Sequence, residues 1–83
     1  MVQAFEVLRQ GGLQMTSGVI LWWNELKGYG KILDEDGIEY FVHYKSVKST
    51  PGVKVNFQEG DKVRFMATRN DRGPLAISVE TDV

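Results

Sequence analysis

Tyr29-Gly30-Lys31-Ile32-Leu33, then Asp34-Glu35-Asp36-Gly37, then Ile38-Glu39-Tyr40-Phe41-Val42-His43-Tyr44 spells a strand, a tight turn and a returning strand. Aliphatic positions alternate with aromatic or basic ones, so one face can fill a core while the other stays outside. Gly37 supplies the positive φ that a short hairpin turn requires. In the returning strand Tyr40, Val42 and Tyr44 share one face and Phe41 and His43 the other. A single-layer wall cannot bury both, so some of these rings are exposed, and an exposed aromatic cluster on a small protein marks a binding surface.

Outward from this hairpin the pattern stays β-like. Gly18 to Asn24 (GVILWWN) is dense in strand formers and reads as strand one, closed by a turn over Asn24 to Gly28. Adjacent Trp22 and Trp23 point to opposite faces unless a bulge intervenes, and Trp22 is the one expected outside. Lys45 to Gly60 has no sustained period and reads as a short helical turn and a long loop. Asp61 to Ala67 alternates again as strand four, with Val63 and Phe65 inward. Asn70 to Pro74 is a turn, and Leu75 to Val79 is strand five. Five short strands with glycine at the corners and no long helix describe a small all-β barrel or sandwich.

Residues 1 to 16 stand apart. Val2, Phe5, Val7 and Leu8 fit either a weak helical stripe or a partial strand, and Gly11-Gly12 breaks the segment. We read 1–16 as a flexible N-terminal extension, whether natural leader or fusion scar, and 17–83 as the barrel. The 83 residues suffice for one core only.

Composition removes several functions. There is no cysteine and only one histidine, so disulfides, thiolate chemistry and a cysteine or histidine metal centre are not expected, nor is a cofactor. His43 has no nucleophile or paired carboxylate set beside it by sequence, so the chain does not read as an enzyme, and no small-molecule substrate is expected. No apolar run approaches the roughly 18 residues of a membrane span, and no secretory signal is evident. A cytoplasmic protein, or a nuclear one in a eukaryote, is expected. The net charge of −1 argues against a binder working by charge alone, yet Lys27, Lys31 and Arg72 sit in or beside the aromatic segments.

What these segments can do is hold a single strand of nucleic acid. Side chains two apart on a strand lie on one face about 6.5 Å apart, a step that successive unpaired bases can follow. Phe41 with His43, and Tyr29 with Lys31, have that spacing.

Laid out this way, the chain resembles a cold-shock domain of the bacterial cold-shock-protein type from about Ser17 to Glu80. Gly18-Val19-Ile20-Leu21-Trp22-Trp23-Asn24 is similar to the family's G-x-V-K-W-F-N, Lys27 to Ile32 to K-G-F-G-F-I, and Tyr40 to Tyr44 to V-F-V-H-F. Asp71 to Ala76 is similar to N-R-G-P-Q-A. The resemblance implies a five-stranded antiparallel barrel of the oligonucleotide-binding (OB) fold that binds single-stranded RNA or DNA and keeps RNA open without ATP. By position it implies stacking by Trp22, Tyr29, Phe41, His43 and Tyr44, phosphate or edge contacts from Lys27 and Arg72, and a rim of Trp23 and Asn24; Lys31, from its own chemistry, can lie across a base or reach phosphate. Lys31 replaces a phenylalanine and Leu21 a lysine of the family pattern, which marks a divergent or engineered member with attenuated stacking. Two other readings stay open: a protein-interaction or assembly module, monomeric or a strand-exchanged dimer, and an engineered barrel with little nucleic-acid binding.

Overall fold

The computed structural model describes residues 15–49 and 55–82. The segment 1–14 of the expected extension therefore lies outside the described residues. Five strands, β1 (Met15–Asn24), β2 (Tyr29–Asp34), β3 (Glu39–His43), β4 (Lys62–Asn70) and β5 (Gly73–Thr81), close into a barrel in the order β1-β2-β3-β5-β4. Among the described residues one 3-10 turn, Tyr44–Ser46, follows β3, as the sequence suggested for the start of the 45–60 stretch. Among the described residues no helix is long and apolar enough to cross a membrane.

One expectation is corrected. The barrel is mixed rather than wholly antiparallel, because β3 and β5 run parallel, with Phe41 opposite Leu75. The reason is arithmetic: an odd number of strands cannot alternate in direction all the way round a closed ring. The seam is extended past β3 by a parallel bridge between Val47 and Val79, where the Lys48 amide donates to the Val79 carbonyl at 2.7 Å.

β1 begins three residues before the expected Gly18. Its first half, Met15–Val19, pairs with β4, and its second half, from Gly18, pairs with β2. Gly18 sits where the two partners meet, and a Cβ there would lie 2.7 Å from the Leu33 carbonyl oxygen and 2.8 Å from Ile32 Cγ2. Only glycine lets β1 pass between its two partner strands this closely. Beyond Gly18, the turn before β4 docks on the strand: the Ile20 amide donates to the Asp61 carbonyl at 2.9 Å, and the Gly60 amide donates to the Ile20 carbonyl at 2.8 Å.

The core is filled by Ile20, Ile32, Val42, Val63, Phe65, Ala76 and Val79, each at most 1% exposed, with Tyr40 and Phe57 closing it. Burying each of the larger side chains contributes roughly 1.5–3 kcal/mol. Val63 and Phe65 point inward as their alternation demanded. Phe57, which the sequence left inside a loop, packs edge-on against Trp23 with ring centroids 5.3 Å apart.

The β2–β3 turn is built around one carboxylate. Asp34 Oδ1 accepts from the amides of Asp36 and Ile38, both at 2.9 Å, and Oδ2 accepts from the Tyr40 hydroxyl at 3.0 Å. Gly37 takes φ +84°. The Ile38 amide, opposed by burial and aided by Tyr40 and Asp36, holds the Asp34 carboxyl below its ordinary value. Burial first, and the bond to Asp34 second, push the Tyr40 phenol up.

Candidate nucleic-acid interface

The exposed face is decided by a bulge in β1. Ile20 pairs with Ile32 and Trp22 with Lys31, so Leu21 is an extra residue without a partner on β2. Trp22 consequently faces outward at 44% exposure, while Trp23 turns inward against the core. Trp23, expected at the rim, is half-buried: its ring packs on Phe57, opposite Gly30, and its indole Nε1 is buried without a hydrogen-bond partner. A Cβ on Gly30 would collide with the Trp22 carbonyl oxygen.

Register then lines up two outward rows across β1, β2 and β3. One row is Trp22, Lys31, Phe41; the next is Asn24, Tyr29, His43. Tyr29 touches Trp22 edge-on and Phe41 at a 37° tilt, in both cases with centroids 5.7 Å apart. These three rings form one continuous chain. His43 and Tyr44 make a second pair at 4.6 Å and 36°. The His43 Nδ1 accepts from the Lys45 amide at 3.2 Å, so its proton sits on Nε2 and is available as a donor.

Tyr44 is 46% exposed and begins the 3-10 turn, and its ring lies over Gly28. Its amide donates to the Gly28 carbonyl at 2.8 Å. Gly28 has φ +72°, and a Cβ there would come within 2.6 Å of Tyr44 Cδ1. Asn24 is committed to the same corner: its Oδ1 accepts from the Lys27 amide at 2.9 Å. The structure therefore uses the Asn24 carbonyl oxygen to shape the turn that presents Lys27.

Lys31 stands in the middle of the platform, where β2 crosses between Trp22 and Phe41. Arg72, on the turn between β4 and β5, comes beside it, and together with Phe41, Asn70 and Pro74 they line a recess of about 210 Å³. Sequence reasoning placed Lys31 and Arg72 near the site but missed Asn70 and Pro74; the only signal was their membership of the segment that carries Arg72. Charge is segregated. Glu80 and Asp82 pair with Arg64 at 3.4 and 3.8 Å, and Glu80 lies 3.9 Å from Lys48, whereas Lys31 and Arg72 make no ion pair among the described residues.

A closed barrel of five strands in this order has the oligonucleotide-binding (OB) fold. The family model described as the 'Cold-shock' DNA-binding domain matches residues 16–81. The chain is 45% identical to Cold shock protein 1 of Lactiplantibacillus plantarum over 65 residues, covering 78% of this chain and 96% of that protein. It is 39% identical to Major cold shock protein CspA of Pseudomonas aeruginosa over 64 residues, covering 77% and 90%. Among solved structures, drosophila Unr CSD456 superposes with a TM-score of 0.66 at 21% identity, over 84% of this chain and 27% of that longer one. The chain belongs to the cold-shock domain family, and its domain is a nucleic-acid-binding one.

Proposed function

We propose that this domain binds single-stranded RNA or DNA by stacking bases on Trp22, Tyr29, Phe41, His43 and Tyr44, and keeps RNA strands open without ATP. The observation that carries this reading is the unbroken ring chain Trp22–Tyr29–Phe41 on an outward face, with Lys31 in the row between Trp22 and Phe41. Stacking on an aromatic side chain is worth about 1–3 kcal/mol per base and tolerates any base, which suits a binder of many sequences. Lys27, Lys31 and Arg72 supply charge for the phosphates, and Trp23 supports the platform from behind.

The test is a titration with a pyrimidine-rich single strand, followed by tryptophan fluorescence. Trp22 is exposed and should be quenched as a base covers it, with affinity falling as salt rises. Absence of quenching at low salt and tens of micromolar strand would remove the proposal. Release of a hairpin reporter by the protein alone tests the strand-opening half.

A further inference from the structure

We propose that the recess between β2, β3 and the β4–β5 turn grips one phosphate group of the bound strand, held jointly by Lys31 and Arg72. This rests on the reading of the face as a single-strand binder and assigns that face a phosphate site inside its platform. The lining consists of donors and apolar walls. Lys31 and Arg72 are its two cationic residues. Asn70 Oδ1 accepts from the Arg72 amide at 2.9 Å, which leaves the Asn70 NH₂ as the side chain's remaining polar group. Phe41 and Pro74 form the apolar sides.

Two cations facing one recess repel each other unless an anion lies between them. Elsewhere on the barrel Arg64 and Lys48 have Glu80 and Asp82 as partners; here no carboxylate lines the space. A charge-assisted bond to an oxyanion is stronger than a neutral one, and a guanidinium offers a paired donor geometry that fits phosphate. At about 210 Å³ the recess is smaller than the roughly 300–1,000 Å³ of a typical small-ligand pocket, as expected if it takes one group of a longer ligand. A larger hollow of about 420 Å³ near the start of β1 sets Asp34, Glu35 and Asp82 against one cation, Lys62, so its net sign is wrong for this ligand.

The shared chemistry is a phosphate monoanion or dianion, from either an internal linkage or a strand terminus. The experiment scans a seven-nucleotide oligothymidine with a single uncharged methylphosphonate at each linkage, and adds versions with a 5′- or 3′-terminal phosphate. Wild type, Lys31→Met, Arg72→Met, the double variant and Phe41→Ala are compared, with thermal unfolding confirming that each is folded. For an internal site, we expect one linkage whose neutralisation weakens wild type about tenfold but either single variant less than twofold. For a terminal site, one terminal phosphate strengthens wild type by the same factor and neither variant. In both cases the slope of log affinity against log salt falls by about 0.7 in the double variant, the value for one neutralised phosphate on a single strand. A fall of about 1.4, meaning separate phosphates, overturns the proposal. So do scans of wild type and Lys31→Met that superimpose with no effect of a terminal phosphate; if Phe41→Ala still loses binding, the stacking reading then survives alone. A wild type that binds no strand at all removes both.

Discussion

Gly30 on β2 faces Trp23 on β1 so closely that a Cβ on Gly30 would lie 2.8 Å from Trp23 Cε3 and 3.1 Å from its Cα. The missing side chain is what lets the indole lie under the platform. Gly30→Ala must displace the ring or part the strands, and overpacking of this kind costs about 1–3 kcal/mol. Urea denaturation should show that loss, and quenching by oligonucleotide should weaken with it, because Trp22 leans on the same backbone.

Trp23 carries a liability of its own, the buried Nε1 without an acceptor. An unsatisfied buried donor costs about 1–3 kcal/mol, which Trp23→Phe removes while giving up part of the ring contact with Phe57. The two effects offset, and the variant should unfold within about 1 kcal/mol of wild type. It also leaves Trp22 as the sole tryptophan. Full quenching by a single strand is then expected from that residue, and a variant that binds without quenching would show that Trp22 lies outside the stack.

The Asp34–Tyr40 bond ties stability to pH at both ends. Asp34 titrates below its ordinary 3.8 in the folded chain, so its contribution is present above that value and is lost as pH falls through the folded one. Tyr40 titrates above its ordinary 10.0, so its contribution is present below that value and is lost as pH rises through the folded one. Urea midpoints should therefore decline below about pH 4 and above about pH 10. Asp34→Asn should lower the midpoint at neutral pH and flatten the acid limb; an unchanged acid limb would locate the sensitive carboxyl elsewhere.

Lys31 and Phe41 occupy neighbouring places in one row but should fail differently. Phe41→Ala removes a stacking surface worth about 1–3 kcal/mol, roughly fivefold to a hundredfold or more in affinity, and leaves the salt dependence nearly intact. Lys31→Phe exchanges charge for ring area. In high salt it should bind more tightly than wild type, whereas its salt slope should be shallower by about 0.7. Isotherms at two salt concentrations separate these outcomes.

Ser78 has φ 52° at the point where β4 and β5 lose register between Arg64 and Met66. A left-handed conformation costs a residue with a Cβ roughly 1–2 kcal/mol, partly offset in glycine by its greater unfolded entropy. Ser78→Gly should stabilise the barrel by up to about 1 kcal/mol without changing strand binding, as thermal unfolding and one titration would show.

Much of this barrel was legible in the chain because local alternation and global burial agree. The β2–β3 hairpin and the inward Val63 and Phe65 follow from side-chain periodicity, whereas the outward Trp22 depends on the bulge at Leu21. What escaped has non-local causes. Met15 to Ser17 become strand only because β4 arrives to pair with them. The parallel seam at Phe41 and Leu75 follows from ring closure, which no window of sequence contains. Phe57 lacks periodic neighbours, so nothing local marked it as the ring beneath Trp23. Asn70 and Pro74 meet Lys31 only after β5 has crossed to β3.

The unpaired Leu21 has a consequence for how this surface tolerates insertions and deletions. Were β1 to run on from Ile20 without skipping a place, Leu21 would pair with Lys31 and Trp22 with Gly30, sending one indole inward and the other out in its stead. The surface is thus encoded as a phase as much as a composition. Loss of Leu21 keeps every ring on its present side, whereas one extra residue between Trp22 and Asn24 shifts the frame of all that follows until the turn at Gly28 absorbs it.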